Sequence, residues 1–193
     1  MLYKVVLDTN VLVPSILRDV LLSLANEEIY KPVWSNEILE ELERTLLVKL
    51  EVGEGQIKYL FEQFKIFFPD SCYDLSLYSQ TKPVGLKDKN DEHVIRLALV
   101  SGSETIVTEN LQDFPKEKLP EDIEVINSKE FLLNQLDLEP KEFFKALENV
   151  SYRQQKRGKN LSVLDILQIL EEKHNCKGII KEVKQYGYTF NNE

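Results

Sequence analysis

Apolar residues recur at two spacings along the first 130 residues and at one spacing after that. Residues 3–7 form a short apolar run, the mark of a buried strand, and Asp8-Thr9-Asn10 breaks it with polar residues that favour turns and caps. Residues 14–26 place Ile16, Leu17, Val20, Leu21 and Leu24 on one side, which is helical spacing. A second strand is expected over 29–34. Ser35 then stands as the N-cap, in a capping-box pattern, of a helix ending near Leu50. Gly53-Glu54-Gly55 punctuates the chain before an amphipathic helix over 56–68, which Pro69-Asp70 ends. A short strand is expected within 72–77. A helix over 88–100 stops at Gly102, β-branched residues mark a strand over 104–108, and a last strand covers 123–126. From there the pattern is helical only, over 128–136, 140–152, 163–174 and 178–185.

Strands alternating with helices imply an α/β fold, a parallel sheet with helices on both faces. The all-helical remainder reads as an appendage, so the expected division is a domain over 1–130 and a C-terminal helical extension over 131–193. The chain has 193 residues, enough for one domain with a real core plus that extension. At 42% hydrophobic and 30% charged it has the composition of a globular protein. No signal peptide is expected before Asp8, and no stretch approaches the roughly 20 apolar residues of a membrane span. The expected compartment is the cytoplasm. Cys72 and Cys176 are far apart and match no metal or redox motif, so they read as free thiols.

The net charge of −9 disfavours broad, non-specific binding to nucleic acid. It is unevenly spread. Residues 1–137 hold 14 Lys+Arg against 25 Asp+Glu, a net of −11, and residues 138–193 hold 10 against 8, a net of +2. An acidic body with a mildly basic tail fits a metal-binding core joined to a segment that touches phosphate, or an acidic surface that keeps the chain in solution.

Four acidic residues fall where an expected strand ends or a helix opens: Asp8, Glu41, Asp91 and Asp113. In parallel α/β sheets, sites form outside the carboxyl ends of the strands. Carboxylates gathered there repel one another unless a cation neutralises them, and a hard divalent ion held by oxygen is the usual solution. Each acid also has a plainer reading: Asp8 as a helix cap, Asp91 as a first-turn helix acid, Glu41 as a solvated charge, Asp113 as a turn former. On the helix after Ser35 the apolar stripe is Ile38, Leu39, Leu42 and Leu46, at about 100° per residue. Glu41 flanks it on one side and Glu43 on the other, with Glu37 and Glu40 further toward solvent. His93, two residues after Asp91, points well away from it, and it reads, like His174, as structural or solvated.

Four segments carry a resemblance. They are Val6-Leu7-Asp8-Thr9-Asn10-Val11-Leu12, Ser35 to Leu42 with Glu41 inside it, Asp88-Lys89-Asn90-Asp91-Glu92-His93-Val94, and Ile106 to Pro115 with Asn110 and Asp113 inside it. In this order, over residues 1 to about 130, they resemble the PIN domain family, the ribonuclease fold of VapC-type toxins. The tail looks like the C-terminal extension of one subgroup. The resemblance implies that Asp8, Glu41, Asp91 and Asp113 ligate Mg2+ or Mn2+, with Thr9, Asn10 and Asn110 supporting them. It implies an endoribonuclease that leaves 5′-phosphate and 3′-hydroxyl ends. It also implies a homodimer and an antitoxin protein whose chain fills the acidic groove. The sequence departs from the family at Lys89, where many relatives have proline, and at Glu109, which adds an acid beside the site. Two other readings stand beside this one: a non-catalytic nucleic-acid-binding module, and a nuclease or phosphoesterase with a substrate other than RNA. Candidate RNA contacts are Arg18, in the helix after Asp8, and Arg153, Lys156, Arg157 and Lys159, the most basic stretch of the chain. The plainer reading of that stretch is a solvated loop between helices.

Overall fold

The computed structural model describes residues 2–77, 85–86 and 91–190. Five parallel strands form one sheet: β1 (Lys4–Leu7), β2 (Lys31–Ser35), β3 (Cys72–Tyr73), β4 (Thr105–Val107) and β5 (Glu124–Ile126), in the order β3-β2-β1-β4-β5. The helices are α1 (Thr9–Leu12), α2 (Ser15–Asn26), α3 (Asn36–Val48), α4 (Glu54–Phe67) and α5 (Glu92–Ser101), followed by α6 (Ser128–Leu138), α7 (Pro140–Lys156), α8 (Val163–Lys173) and α9 (Ile179–Gln185). The expected α/β architecture, a parallel sheet flanked by helices with further helices at the C-terminus, is the one observed.

The chain divides into two compact units. One holds residues 1–13 and 30–127, the other residues 14–29 and 128–193. In the first, β1 is central and buried on both faces, with Val5, Val6 and Leu7 fully inside. Its register sets Val6 opposite both Val33 of β2 and Ile106 of β4, and Leu7 opposite Val107. Trp34 on β2 is buried against Phe64 and Phe68, with ring centroids at 4.8 and 5.8 Å. Helix α5 packs on β1 and β4 and ends at Gly102, whose φ of 67° only glycine adopts without strain.

The local capping differs from expectation at α3. The Ser35 side chain accepts from the Ile38 amide, but the third helical position is an isoleucine, which has no acceptor to return the bond. The reciprocal box forms instead at Ser162 and Asp165, opening α8. Helix α1 breaks up what the pattern shows as a plain turn. The expected strand within 72–77 keeps only Cys72–Tyr73 before a single 3-10 turn over Leu75–Leu77. The start of the helix expected over 88–100 falls on residues 88–90, outside the described residues.

In the second unit α2 packs on α7 and α8, so a linear division at residue 130 separates it from its packing partners. Its buried face is Leu17, Val20, Leu21 and Leu24. A polar edge runs alongside. Asp19 accepts from Gln154 Nε2 at 2.7 Å, Ser23 accepts from Arg153, and Glu27 accepts from Asn149 Nδ2 at 2.8 Å and pairs with Lys145 at 2.5 Å.

Candidate metal centre at the carboxyl edge of the sheet

Parallel pairing of β1 with β4 places Asp8 and Thr108 side by side just beyond Leu7 and Val107, and the Asp8 amide donates to the Val107 carbonyl at 3.1 Å. Three donors converge on the Asp8 carboxylate. The Thr9 amide donates to Oδ1 at 2.7 Å, while Asn10 Nδ2 and Thr108 Oγ1 donate to Oδ2 at 2.7 and 2.6 Å. Asp8 therefore caps α1 and lies at the carboxyl edge of the sheet at once. Asn10 also donates to Thr108 Oγ1 at 2.8 Å and accepts from the Glu109 amide at 3.0 Å, and the Asn110 amide donates to Thr108 Oγ1 at 3.2 Å. The Asn110 amide thus meets Thr108, one bond removed from Asp8.

Thr9 turns the other way with its side chain. Its hydroxyl donates to Glu41 Oε2 at 2.9 Å, which ties the end of β1 to α3. Glu40 and Glu43 are exposed, so of the three acids around this turn it is Glu41 that enters the network. Glu37 does not point to solvent as expected. It is half-buried, and its Oε2 is enclosed with no hydrogen-bond partner among the described residues.

Asp8 is only 7% exposed, and burial raises its carboxyl above the ordinary range. The hydrogen bonds from Thr108 and Thr9 pull it down, the charge of Glu41 pushes it up, and His93 pulls it down. The charge of His93 thus acts on Asp8, and its Nδ1 is buried with no hydrogen-bond partner among the described residues, so of the two expected readings the solvated one does not hold.

Asp91 stands at the N-cap position of α5 without a side-chain cap bond and is half-buried. That helix runs opposite to the strands and ends just before β4 begins, so its first residue lies at the carboxyl edge of the sheet. Asp113 follows β4 in a 3-10 turn, half-buried, its amide held by the Asn110 carbonyl at 3.0 Å. The structure brings Asp8 and Glu41 into one network and sets Asp91 and Asp113 near the same edge. Among the described residues, no group of three or more His, Cys, Asp or Glu side chains is close enough to hold a metal ion. The donor set still fits a hard divalent cation. It is made of carboxylate oxygens, and the like-charged pair of Asp8 and Glu41 is stabilised by a positive charge between or beside them.

Thr108 is the residue that sequence reasoning missed. It is fully buried and donates the shortest bond to Asp8. Its signal was present, a hydroxyl residue at the carboxyl end of a strand, but it acquires meaning only once β4 is known to pair with β1.

The candidate RNA contacts lie in the other unit. Burial lowers the pKa of the Arg18 guanidinium, with Asp19 raising it and Arg157 lowering it. The stretch 152–159 is not a loop: Arg153 and Lys156 lie in the last turns of α7, and only Arg157 to Lys159 leave it.

The sequence model of a family described as the PIN domain matches residues 4–112. No curated protein and no solved structure matches the chain.

Proposed function

The chain belongs to the PIN domain family, and we propose that it is a VapC-type, metal-dependent endoribonuclease with a C-terminal extension, the toxin of a toxin–antitoxin pair. PIN domains are generally nucleases that use divalent metal ions, and the fold here is of that kind. The observation that carries the reading is the bridge from Asp8 through Thr9 to Glu41. One hydroxyl and one amide of Thr9 set two carboxylates, one of them buried, at the edge where parallel sheets do chemistry.

When bound, Mg2+ or Mn2+ supplies charge neutralisation and Lewis acidity toward water and phosphate. The chain's own residues prepare for it. Asp8 is fixed by Thr9, Asn10 and Thr108, so its remaining lone pairs keep one direction. Glu41 is fixed by Thr9. Asp91 and Asp113, at the same edge, are the acids assigned to complete the carboxylate set when the cation is bound. Hydrolysis of an RNA phosphodiester there leaves 5′-phosphate and 3′-hydroxyl ends. The same acidic groove suits a basic side chain of an antitoxin, which would replace the charge of the metal. The chain acts in the cytoplasm as a homodimer. No helix among the described residues is long and apolar enough to cross a membrane.

The test compares Mn2+-dependent cleavage of single-stranded RNA and DNA by the full chain and by Asp8→Asn and Glu41→Gln. RNA cleavage lost in both variants is expected, together with a rise in melting temperature on adding Mn2+ to wild type alone. Wild-type activity in both variants, or equal cleavage of DNA, would overturn the reading.

A further inference from the structure

The five cations that the sequence marks for phosphate are sorted by the second unit into two kinds. Arg18 and Arg153 are half-buried: burial lowers the Arg18 pKa, and Arg153, its side chain 40% exposed, donates to Ser23 and lies 4.0 Å from Asp19 on α2. Arg157 touches Asp19 at 3.4 Å, yet its side chain stays 54% exposed. Lys156 and Lys159 are exposed, and among the described residues neither pairs with a carboxylate. Tyr152 is exposed one turn before Lys156, whose ammonium lies 5.3 Å from the ring centroid.

The end of α7 holds these groups on a stiff frame. The Lys159 amide donates to the Gln154 carbonyl at 2.9 Å and the Gly158 amide to the Gln155 carbonyl at 2.9 Å, the paired bonds of a Schellman turn. Gly158 supplies the left-handed residue, with φ of 78°. Residues 152–159 contain four cations and no acid in a chain of net charge −9.

We propose that Tyr152, Lys156, Arg157 and Lys159 form a strip that docks single-stranded RNA, the three cations on successive phosphates and the Tyr152 ring under one base. The inference rests on the RNA reading of the acidic site and extends it to where substrate is held. Charge complementarity identifies a polyanion. The exposed ring identifies a nucleic acid, because bases stack on aromatic faces whatever their sequence and an acidic peptide has no such use for it. Phosphate contacts made by the strip add affinity without reading sequence.

The test is RNA binding by the full chain in EDTA, which prevents cleavage, followed by fluorescence anisotropy across a salt series. The triple variant Lys156→Gln, Arg157→Gln, Lys159→Gln should reduce the slope of log K against log salt by about 2, from three contacts of about 0.7 each on a single strand. Tyr152→Ala should weaken binding about tenfold and leave the slope unchanged. Arg153→Gln should leave both unchanged and lower the melting temperature, since its partners are Ser23 and Asp19. An unchanged slope in the triple variant overturns the strip, as does polyglutamate displacing RNA as well as unlabelled RNA does. A reduced slope in a protein that cleaves no RNA with Mn2+ keeps the strip and overturns the nuclease reading instead.

Discussion

Removing residues 128–193 should unfold the nuclease unit's own sequence partner, α2, and with it the continuity of the chain between β1 and β2. The family match ends at residue 112, which invites treating the C-terminal helices as dispensable. Packing argues otherwise. Helix α2 lies in sequence between the Asp8 turn and β2, but it packs on α7 and α8. Its buried face is Leu17, Val20, Leu21 and Leu24, each 0 or 1% exposed. Re-exposing an aliphatic side chain of this size costs about 1.5–3 kcal/mol, so the four together cost about 6–12 kcal/mol. That equals the whole stability of a typical domain, about 5–15 kcal/mol. The helix cannot offset the loss alone, because it has only 12 residues and its N-cap, Pro14, makes no side-chain cap bond. A fragment of residues 1–127 should therefore be aggregated or partly unfolded. It should lack the cooperative melt of the full chain by circular dichroism, with low amide protection in α2. Full-length Leu21→Ala, expected to cost about 2–5 kcal/mol, calibrates the scale. A monomeric fragment that melts cooperatively within a few degrees of the full chain would refute the reasoning.

Glu41→Gln should abolish metal-dependent cleavage while Glu40→Gln stays near wild type, because Glu41 accepts from Thr9 and Glu40 is exposed; assays of the two side by side decide the register of α3. Thr108→Val removes the donor that lowers the pKa of Asp8, so the acidic limb of the pH–rate profile should move to higher pH, and a limb left in place would contradict the hydrogen-bond account. Mn2+ should raise the melting temperature at neutral pH and lose that effect as the pH falls through the raised Asp8 value, since protonated Asp8 no longer binds a cation. Tyr188, half-buried and beside Glu148, has its pKa pushed from 10.0 up to about 12, so the stability it contributes is complete below pH 10 and is lost as the pH rises toward 12. Tyr188→Phe keeps the ring contacts with Phe144 and Phe190 and should flatten that alkaline decline in a series of melts.

Much of this molecule was legible in its sequence because the governing physics is local. Apolar runs and periodicity located the five strands and eight longer helices of the described residues, and Gly102 marked its helix end through a backbone angle that other residues resist. The placement of Asp8 and Asp113 after strands followed from the same reading. Other features required neighbours that only folding supplies. An apolar stripe such as that of α2 specifies a face to be buried and not the element that buries it, so its packing on α7 and α8 was invisible. Glu41 and Glu43 flank one stripe from opposite sides, and a hydroxyl from Thr9 distinguishes them. Thr108 meets Asp8 across 100 residues because β4 pairs with β1. The charge of Arg153 and that of Lys159 look alike in sequence, yet one is tied to α2 and the other stands in water. Periodicity is written in adjacent residues, whereas strand order and helix partners minimise the free energy of the whole chain, and that minimum decides which side chains meet.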